Sequence, residues 1–309
     1  MIHEIPYGGW NRNLRLAGAT TELVITLDVG PRIIRYGFHQ DRNVFVELPE
    51  QMGQTGELAW MIRGGHRLWT APEADHSYDI DNGPVTWKQI GELAVEIHQP
   101  VSTPYGYQKT IRIELLENEL VRLTHLLTNV SGQALNLTPW ALSVMAPGGT
   151  ALIPQPKLDL HPSEFPEGRV TLPEEFLPNR ELIFWPFTDL TDGRYAWSEN
   201  FLRVTYLPEL PATKLGMKLP TGWIAYQNAD VVFAKHFAYD PAQPYPDRGS
   251  NFEIFTNHQI LELESLAPLL PLAAGETRAH IEHWTLHKTS ADLRGEKAAM
   301  AYFATLPEI

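Results

Sequence analysis

Apolar and polar residues alternate with a period of two along much of the chain. The clearest case lies in the segment Asn251–Glu276, where Leu261 and Leu263 alternate with Glu262 and Glu264. Successive side chains of a strand point to opposite faces, so this pattern places two leucines on one face and two carboxylates on the other. The sequence therefore predicts a strand with one apolar face and one acidic face.

The same alternation predicts more than a dozen short strands, separated by turns rich in Gly, Pro, Asn and Asp. A proline at position 139 predicts that its strand is an edge strand or carries a bulge. One helix is predicted, Ser290–Ala304, with Ser290 or Asp292 as its cap. This pattern indicates an all-β fold, a large antiparallel β-sandwich with a C-terminal helix, in a single domain over residues 1–309. Besides two strands in Asn251–Glu276, the predicted strands are Glu22–Val29, Arg32–Phe38, Val44–Val46, Thr86–Ile90, Leu93–His98, Tyr107–Leu116, Leu120–Asn129, Ala134–Met145, Leu182–Phe187, Phe201–Tyr206, Leu215–Leu219, Trp223–Gln227, Val231–Ala238 and Ala279–Leu286.

Composition narrows the function classes. The chain has 309 residues and a net charge of −13, without a Lys/Arg-rich block, which argues against nucleic acid as a partner. No apolar run approaches the ~18 residues of a membrane span. The chain has no cysteine, which excludes disulfides and thiolate metal sites. The N-terminal segment lacks the pattern of a signal peptide, so we expect a cytoplasmic protein.

Two segments carry candidate chemistry. Glu262 and Glu264 lie about 6–7 Å apart on one strand face, so burial of that face would raise the pKa of at least one of them. The alternative is a solvated strand face. The paired glycines 64 and 65 precede His66, Arg67 and Trp69, an order typical of a loop that delivers polar and aromatic groups to a pocket. A plain hairpin turn is the alternative.

Further candidates are more isolated. Lys214 and Lys235 lie on predicted strands, where lysine is rare without a partner, and Tyr245 and Asp247 lie in a proline-rich loop that could rim a groove. The segment after Trp69 carries four potential metal ligands, but their spacing matches no tight metal-binding motif. Neither a metal nor a cofactor is therefore expected. The residues of that segment are Glu73, Asp75, His76 and Asp79.

Several segments together resemble the galactose mutarotase-like (aldose 1-epimerase-like) superfamily. LELESLAPLLPLAAGE is similar to its closing strand, and IRGGHRLWTAPEA is similar to the Arg-Gly-Gly loop of its hexose-phosphate branch. The closest resemblance is to a bacterial domain family of unknown function in that superfamily. Its marks are GGHRLWTAPE, PWALSVMAPGG, KHFAYDPAQPYPDRGSNFE, LELESLAPL and the terminal HWTL, which lie in order along nearly the whole chain.

The resemblance implies a β-supersandwich and a catalytic glutamate at Glu264, with Glu262 as the alternative in register. Where mutarotases carry an acid histidine after a Leu-Thr-x pattern, this chain has Trp140, whose indole cannot exchange a proton near neutral pH. Trp140 is therefore expected to be a stacking platform, and His66 is the candidate replacement acid.

Two main hypotheses follow. One is a cofactor-independent sugar mutarotase or epimerase, with Glu264 as base, His66 as acid and Glu262 as a further catalytic carboxylate. The other is a carbohydrate-binding protein without turnover, which the tryptophan at position 140 favours. A uronate lyase is a weaker third. All three predict a small sugar or sugar derivative as ligand, held by Arg67, Trp69, Trp140, Lys214, Lys235, Tyr245 and Asp247. The sequence leaves the oligomeric state open.

Overall fold

Twenty β-strands form almost all of the regular structure of the described residues. The computed structural model describes residues 1–157, 161–165 and 167–306. In chain order the strands are β1 (Ile2–Tyr7), β2 (Trp10–Ala17), β3 (Thr21–Thr26), β4 (Arg32–Phe38), β5 (Gly65–Ala71), β6 (Thr86–Gly91), β7 (Ala94–His98), β8 (Tyr107–Leu115), β9 (Val121–Asn129), β10 (Thr138–Met145), β11 (Thr150–Pro154), β12 (Leu182–Phe184), β13 (Tyr195–Trp197), β14 (Phe201–Thr205), β15 (Thr213–Met217), β16 (Trp223–Asn228), β17 (Val231–Phe237), β18 (Phe252–Thr256), β19 (Leu261–Leu266) and β20 (Thr277–Lys288).

The strands form two ten-stranded antiparallel sheets. The first sheet has the order β1-β2-β3-β4-β5-β10-β19-β18-β15-β12, and the second has the order β13-β14-β11-β16-β17-β20-β9-β8-β7-β6. The main hydrophobic core includes Leu23, Ile33 and Leu263 of the first sheet and Ile111 and Phe233 of the second, all fully buried. Burial of each such side chain is worth roughly 1.5–3 kcal/mol, so the alternation read from the sequence is what holds the sheets together. The predicted all-β sandwich is confirmed.

Helical structure is scarce, and the helix prediction needs a correction. The C-terminal helix is Glu296–Phe303, so it begins several residues after the predicted start at Ser290. Its first turn follows Gly295, because the residues before it bond to the second sheet: the Leu293 N–H donates to the Gln227 side chain at 2.8 Å, and that side chain donates to the Ala291 carbonyl at 2.7 Å. The described residues contain no helix long and apolar enough to cross a membrane. The remaining short elements are the 3-10 turns Asp75–Tyr78, Pro162–Glu164 and Pro173–Phe176, and the one-turn segment Pro246–Gly249.

The prediction that Pro139 marks an edge or a bulge is wrong. Its strand, β10, lies in the middle of the first sheet and pairs with β5 on one side and β19 on the other. Pro139 is the second residue of the strand, where its carbonyl still accepts a bond from the Ala267 N–H at 3.1 Å. A proline near a strand end costs the sheet little, since only its missing N–H is lost.

Candidate functional site

A cavity of about 290 Å³ opens on the outer face of the first sheet, away from the core. Its floor comes from five neighbouring strands, β5, β10, β19, β18 and β15. This volume is at the lower end of the ~300–1,000 Å³ of ligand pockets, so the cavity suits a small molecule. Its walls are Trp60, Ile62, Arg67, Trp69, Glu73, Tyr78, Trp140, Leu142, Trp185, Phe187, Lys214, Phe255, Asn257, Ile260, Glu262 and Glu264.

Strand register explains why these residues meet. Leu142 pairs with Arg67 on one side and with Glu264 on the other, so the three side chains form one row across the outer face. Two residues before Leu142 on β10, Trp140 pairs with Trp69 of β5, so these two side chains lie on the same outer face. Six of the ten residues predicted from the sequence therefore line one cavity. They are Arg67, Trp69, Trp140, Lys214, Glu262 and Glu264.

The wall that carries Trp60 and Ile62 is held from inside by a buried arginine. The Arg32 guanidinium donates to the carbonyl of Ile62 at 2.7 Å and to that of Met61 at 2.9 Å, and it pairs with Asp81 at 2.9 Å. A charge-assisted network of this kind fixes a loop that has no regular structure of its own. The position of Trp60 over the cavity thus depends on a residue in the core.

Glu264 is a buried carboxylate with one free oxygen. Its Oε2 accepts a bond from Lys214 Nζ at 3.2 Å, and its Oε1 has no partner. Burial raises the pKa of Glu264 to about 7, although the nearby Lys214 ammonium opposes the rise. An acceptor that is ionised near neutral pH and aimed into a cavity has the properties of a general base.

Glu253, which the sequence reasoning missed, lies directly opposite Glu264 in the register of β18 and β19. Its carboxylate is 2.7 Å from Lys214 Nζ, and its side chain is fully buried. Burial and the charge of Glu264 raise the pKa of Glu253 well above its usual range. Two buried carboxyl groups that share one ammonium cannot both ionise at low cost, so the pair titrates as a unit. The Phe-Glu-Ile alternation around Glu253 was the signal that could have found it.

Aromatic rings enclose both cations of the cavity. Lys214 Nζ lies 4.6 Å from the ring centre of Trp140 and 4.8 Å from that of Trp185. The Arg67 guanidinium lies 5.2 Å from the Trp60 ring and 4.8 Å from the Trp69 ring. Its Nη2 donates to Glu262 Oε1 at 2.9 Å, whereas Nε and Nη1 have no partner. Trp60, Trp185 and Tyr78 were not among the predicted site residues. Trp60 and Tyr78 lie in segments without a strand pattern, and Trp185 lies in the predicted strand Leu182–Phe187, which gave no sign that it adjoins the cavity.

The expectation that His66 and Glu264 face one cavity is wrong. His66 neighbours Arg67 on β5, and because Arg67 points to the cavity, His66 must point into the space between the sheets. There its Nδ1 is 2.8 Å from Ser143 Oγ and its Nε2 is 2.7 Å from His125 Nε2. Burial, with the nearby His125 and Lys235, lowers the pKa of His66 well below its usual value.

Lys235 is also not in the cavity. It lies on β17 of the second sheet and is fully buried. Its Nζ is 3.0 Å from Glu282 Oε1 and donates a hydrogen bond of 3.1 Å to the Leu263 carbonyl. The sequence reasoning correctly expected a partner for this lysine but placed that partner on the wrong face of the first sheet. Strand alternation alone does not say from which sheet a side chain enters the core.

The two residues predicted to rim the groove are not wall residues of the cavity. The Tyr245 hydroxyl accepts a bond from the Asp240 N–H at 2.9 Å, and its ring stacks on Tyr239. Asp247 is not a lining residue but interacts with Lys214 and Glu253, and burial raises its pKa. The loop folds back on itself, which a count of prolines in the sequence could not reveal.

One group of side chains has the spacing of metal ligands within the described part of the chain. The side chains of His66, His125 and Glu282 converge within 4.8 Å between the sheets, and Glu73, Asp75, His76 and Asp79 do not. Two nitrogens bound to one zinc ion at about 2.0–2.1 Å would lie about 3.3 Å apart, but those of His66 and His125 are 2.7 Å apart. Lys235 already neutralises Glu282. The group therefore fits a hydrogen-bond network better than a metal site.

With the fold and cavity established, comparisons with known proteins become informative. A galactose mutarotase-like protein from Clostridium acetobutylicum superposes with a TM-score of 0.56 at 12% identity, covering 94% of this chain and 99% of that one. The chain has the galactose mutarotase-like fold. A galactose mutarotase-like protein from Lactobacillus casei gives a TM-score of 0.55 at 11% identity, with 89% and 100% covered. A galactose mutarotase related enzyme from Lactobacillus acidophilus gives 0.52 at 10% identity, with 94% and 99% covered.

These matches establish the fold alone, because the roles of individual residues cannot be transferred between proteins at such low sequence identity. No protein-family model matches the sequence, and the search of curated proteins finds no relative. The finer resemblance to a bacterial domain family therefore stays a prediction. What this mutarotase-like sandwich does must be argued from its own cavity.

Proposed function

We propose that the cavity binds a monosaccharide-sized carbohydrate and catalyses the exchange of its anomers without a cofactor, with Glu264 as the base. The observation that carries the proposal is the set of buried polar atoms without partners around the cavity. They are Glu264 Oε1, Trp60 Nε1, Trp140 Nε1, and Nε and Nη1 of Arg67. A buried polar atom without a partner costs about 1–3 kcal/mol, and sugar hydroxyls both donate and accept. The fold that this chain shares with mutarotase-like proteins also supports the proposal of a carbohydrate ligand.

In this mechanism Glu264 accepts the proton of the anomeric hydroxyl. The bond between the anomeric carbon and the ring oxygen breaks, and the ring oxygen needs a proton. Lys214 Nζ is the cation nearest to Glu264, at 3.2 Å, and we propose it as the donor in place of His66. The pKa of Lys214 is raised by Glu264 and Glu253, so protonation of Glu264 makes the ammonium a better acid. Closure of the ring on the other face of the carbonyl returns both protons.

Exchange spectroscopy tests the proposal. Saturation-transfer NMR with a panel of uncharged monosaccharides should show catalysed anomer exchange by the wild-type protein. Glu264→Gln keeps the size of the side chain and removes the base, so the catalysed rate should fall by about 10²–10⁴-fold. Glu22→Gln is a matched control, because Glu22 is a buried carboxylate between two arginines in the same sheet, outside the cavity. Unchanged exchange in Glu264→Gln would refute the assigned base.

A second candidate function is carbohydrate binding without turnover. It is favoured by the position of His66, since no histidine is among the described residues that line the cavity. Calorimetric titration separates the two functions. Sugar binding together with an uncatalysed rate of exchange supports the binding protein, and the absence of binding to every sugar contradicts both.

A further inference from the structure

Glu262 has a feature that its predicted catalytic role does not use. It is the carboxylate partner of Arg67, at 2.9 Å, and the two side chains are only 8% and 2% exposed. The other guanidinium nitrogens, Nε and Nη1, have no partner. A phosphate or carboxylate group binds arginine bidentately through a fork of two nitrogens, either Nε with Nη2 or Nη1 with Nη2, so Glu262 closes both forks by holding Nη2.

The charge of Lys214, the other cation of the cavity, is also balanced by carboxylates. Its ammonium lies 2.7 Å from Glu253 and 3.2 Å from Glu264. Arg67 and Lys214 are the only cations among the described residues that line the cavity, against three carboxylates, Glu73, Glu262 and Glu264. An anionic ligand would therefore enter without a free positive charge to receive it and would lose its hydration.

We infer that Glu262 is a specificity-determining residue, which holds Arg67 so that the cavity accepts uncharged sugars and rejects sugar phosphates and sugar acids. The inference rests on the proposed function, because it concerns the ligands of the same cavity. It also removes the physical basis for a uronate lyase, which needs a cation free to bind the carboxylate of its substrate.

Removal of the charge of Glu262 tests the inference. Glu262→Gln should free the Arg67 fork and raise the affinity for D-glucuronate and D-glucose 6-phosphate at least tenfold relative to D-glucose and D-galactose. The gain should shrink as salt is added, since it is electrostatic. Tryptophan fluorescence is a suitable readout because Trp60, Trp69, Trp140 and Trp185 line the cavity. Calorimetry would confirm the affinities.

Two further variants make the test specific. The double variant Glu262→Gln/Arg67→Met should lose the gain, because the anion would bind to Arg67. Glu22→Gln, which removes a carboxylate from Arg15 and Arg35 outside the cavity, should leave the selectivity unchanged. A circular dichroism spectrum and a urea unfolding curve for each variant establish that it is folded.

The outcomes separate this inference from the proposed function. Wild-type protein that binds an anionic sugar as tightly as an uncharged one overturns the inference and leaves a sugar-binding cavity. A folded Glu262→Gln variant without any gain also overturns it. If Glu262→Gln does not fold, the wild-type comparison of charged and uncharged sugars still decides. No binding of any sugar by the wild-type protein defeats the proposed function, and the inference with it.

Discussion

The two faces of strands β5, β10 and β19 differ in how their polar atoms are satisfied. On the inner face, His66 and Ser143 bond to each other, and Ser265 donates to Glu282 of the second sheet. None of these inner polar atoms is without a partner. On the outer face of the same strands, Arg67, Trp140 and Glu264 each have a buried polar atom without one.

The inner network has a consistent assignment of protons. His125 Nδ1 faces the His280 carbonyl at 3.2 Å and must be the donor there, so its Nε2 accepts from His66. His66 Nδ1 then accepts from the Ser143 hydroxyl. Every bond is made within the protein, so the network gains nothing from a ligand. It joins the two sheets beneath the cavity and holds β19 in place through the bond from Lys235 to the Leu263 carbonyl.

The difference teaches how to separate scaffold from site in this molecule. Both faces are buried and rich in ionisable groups, so burial and charge alone do not distinguish them. A hydrogen-bond network in which every polar atom is paired stabilises the fold, whereas one with unpaired polar atoms can bind a ligand.

The largest expected effect is on stability from the inner face. Lys235→Met leaves the Glu282 carboxylate buried without its cation and should lower the free energy of unfolding by roughly 3–5 kcal/mol. Lys214→Met on the outer face should cost less than half as much, because the pKa values of Glu253 and Glu264 are already raised and both can take up a proton. Urea unfolding at pH 7 measures both, and equal losses would contradict the distinction.

A smaller effect is expected from pH on the outer face. Below about pH 4.5, Glu264 is protonated in the folded and in the unfolded chain. As pH rises, the unfolded chain releases this proton first, and the folded chain keeps it until about pH 7. Stability should therefore fall between these values, by up to roughly 3 kcal/mol. Glu264→Gln should show a smaller loss, because Glu253 is then the remaining carboxyl of the pair with a raised pKa. Unfolding curves of both proteins at pH 5 and pH 8 measure the difference.

The smallest effect is expected at the edge of the inner network. Ser143→Ala removes the donor to His66 Nδ1 and leaves a buried nitrogen unpaired, which should cost about 1–3 kcal/mol. Ligand affinity and anomer exchange should stay within twofold of the wild-type values at 25 °C. A folded Ser143→Ala protein without exchange would mean that the inner face takes part in function.

Much of the fold could be predicted because strand alternation is local. It yielded most of the strands, the β-sandwich and the acidic face with Glu262 and Glu264. It missed β1, β2, β5 and β13, and the predicted strand Val44–Val46 is only an isolated bridge at Phe45. It also placed Pro139 at an edge or a bulge, since the neighbours of a strand depend on distant segments. The segment predicted as a Gly-Gly loop is strand β5, from which Arg67 and Trp69 line the cavity whereas His66 points to the other face.

The sequence by itself determined which residues alternate, and therefore that Glu262 and Glu264 share a face and that His66 and Arg67 do not. Only the tertiary structure decided which face is the cavity, because that depends on which sheet covers the other side. It also brought Lys214 to Glu264 and Glu253, and Trp60 to Arg67, across separations that no local pattern encodes. The physical reason is that alternation is fixed by the backbone of one strand, whereas partnership is fixed by packing between strands.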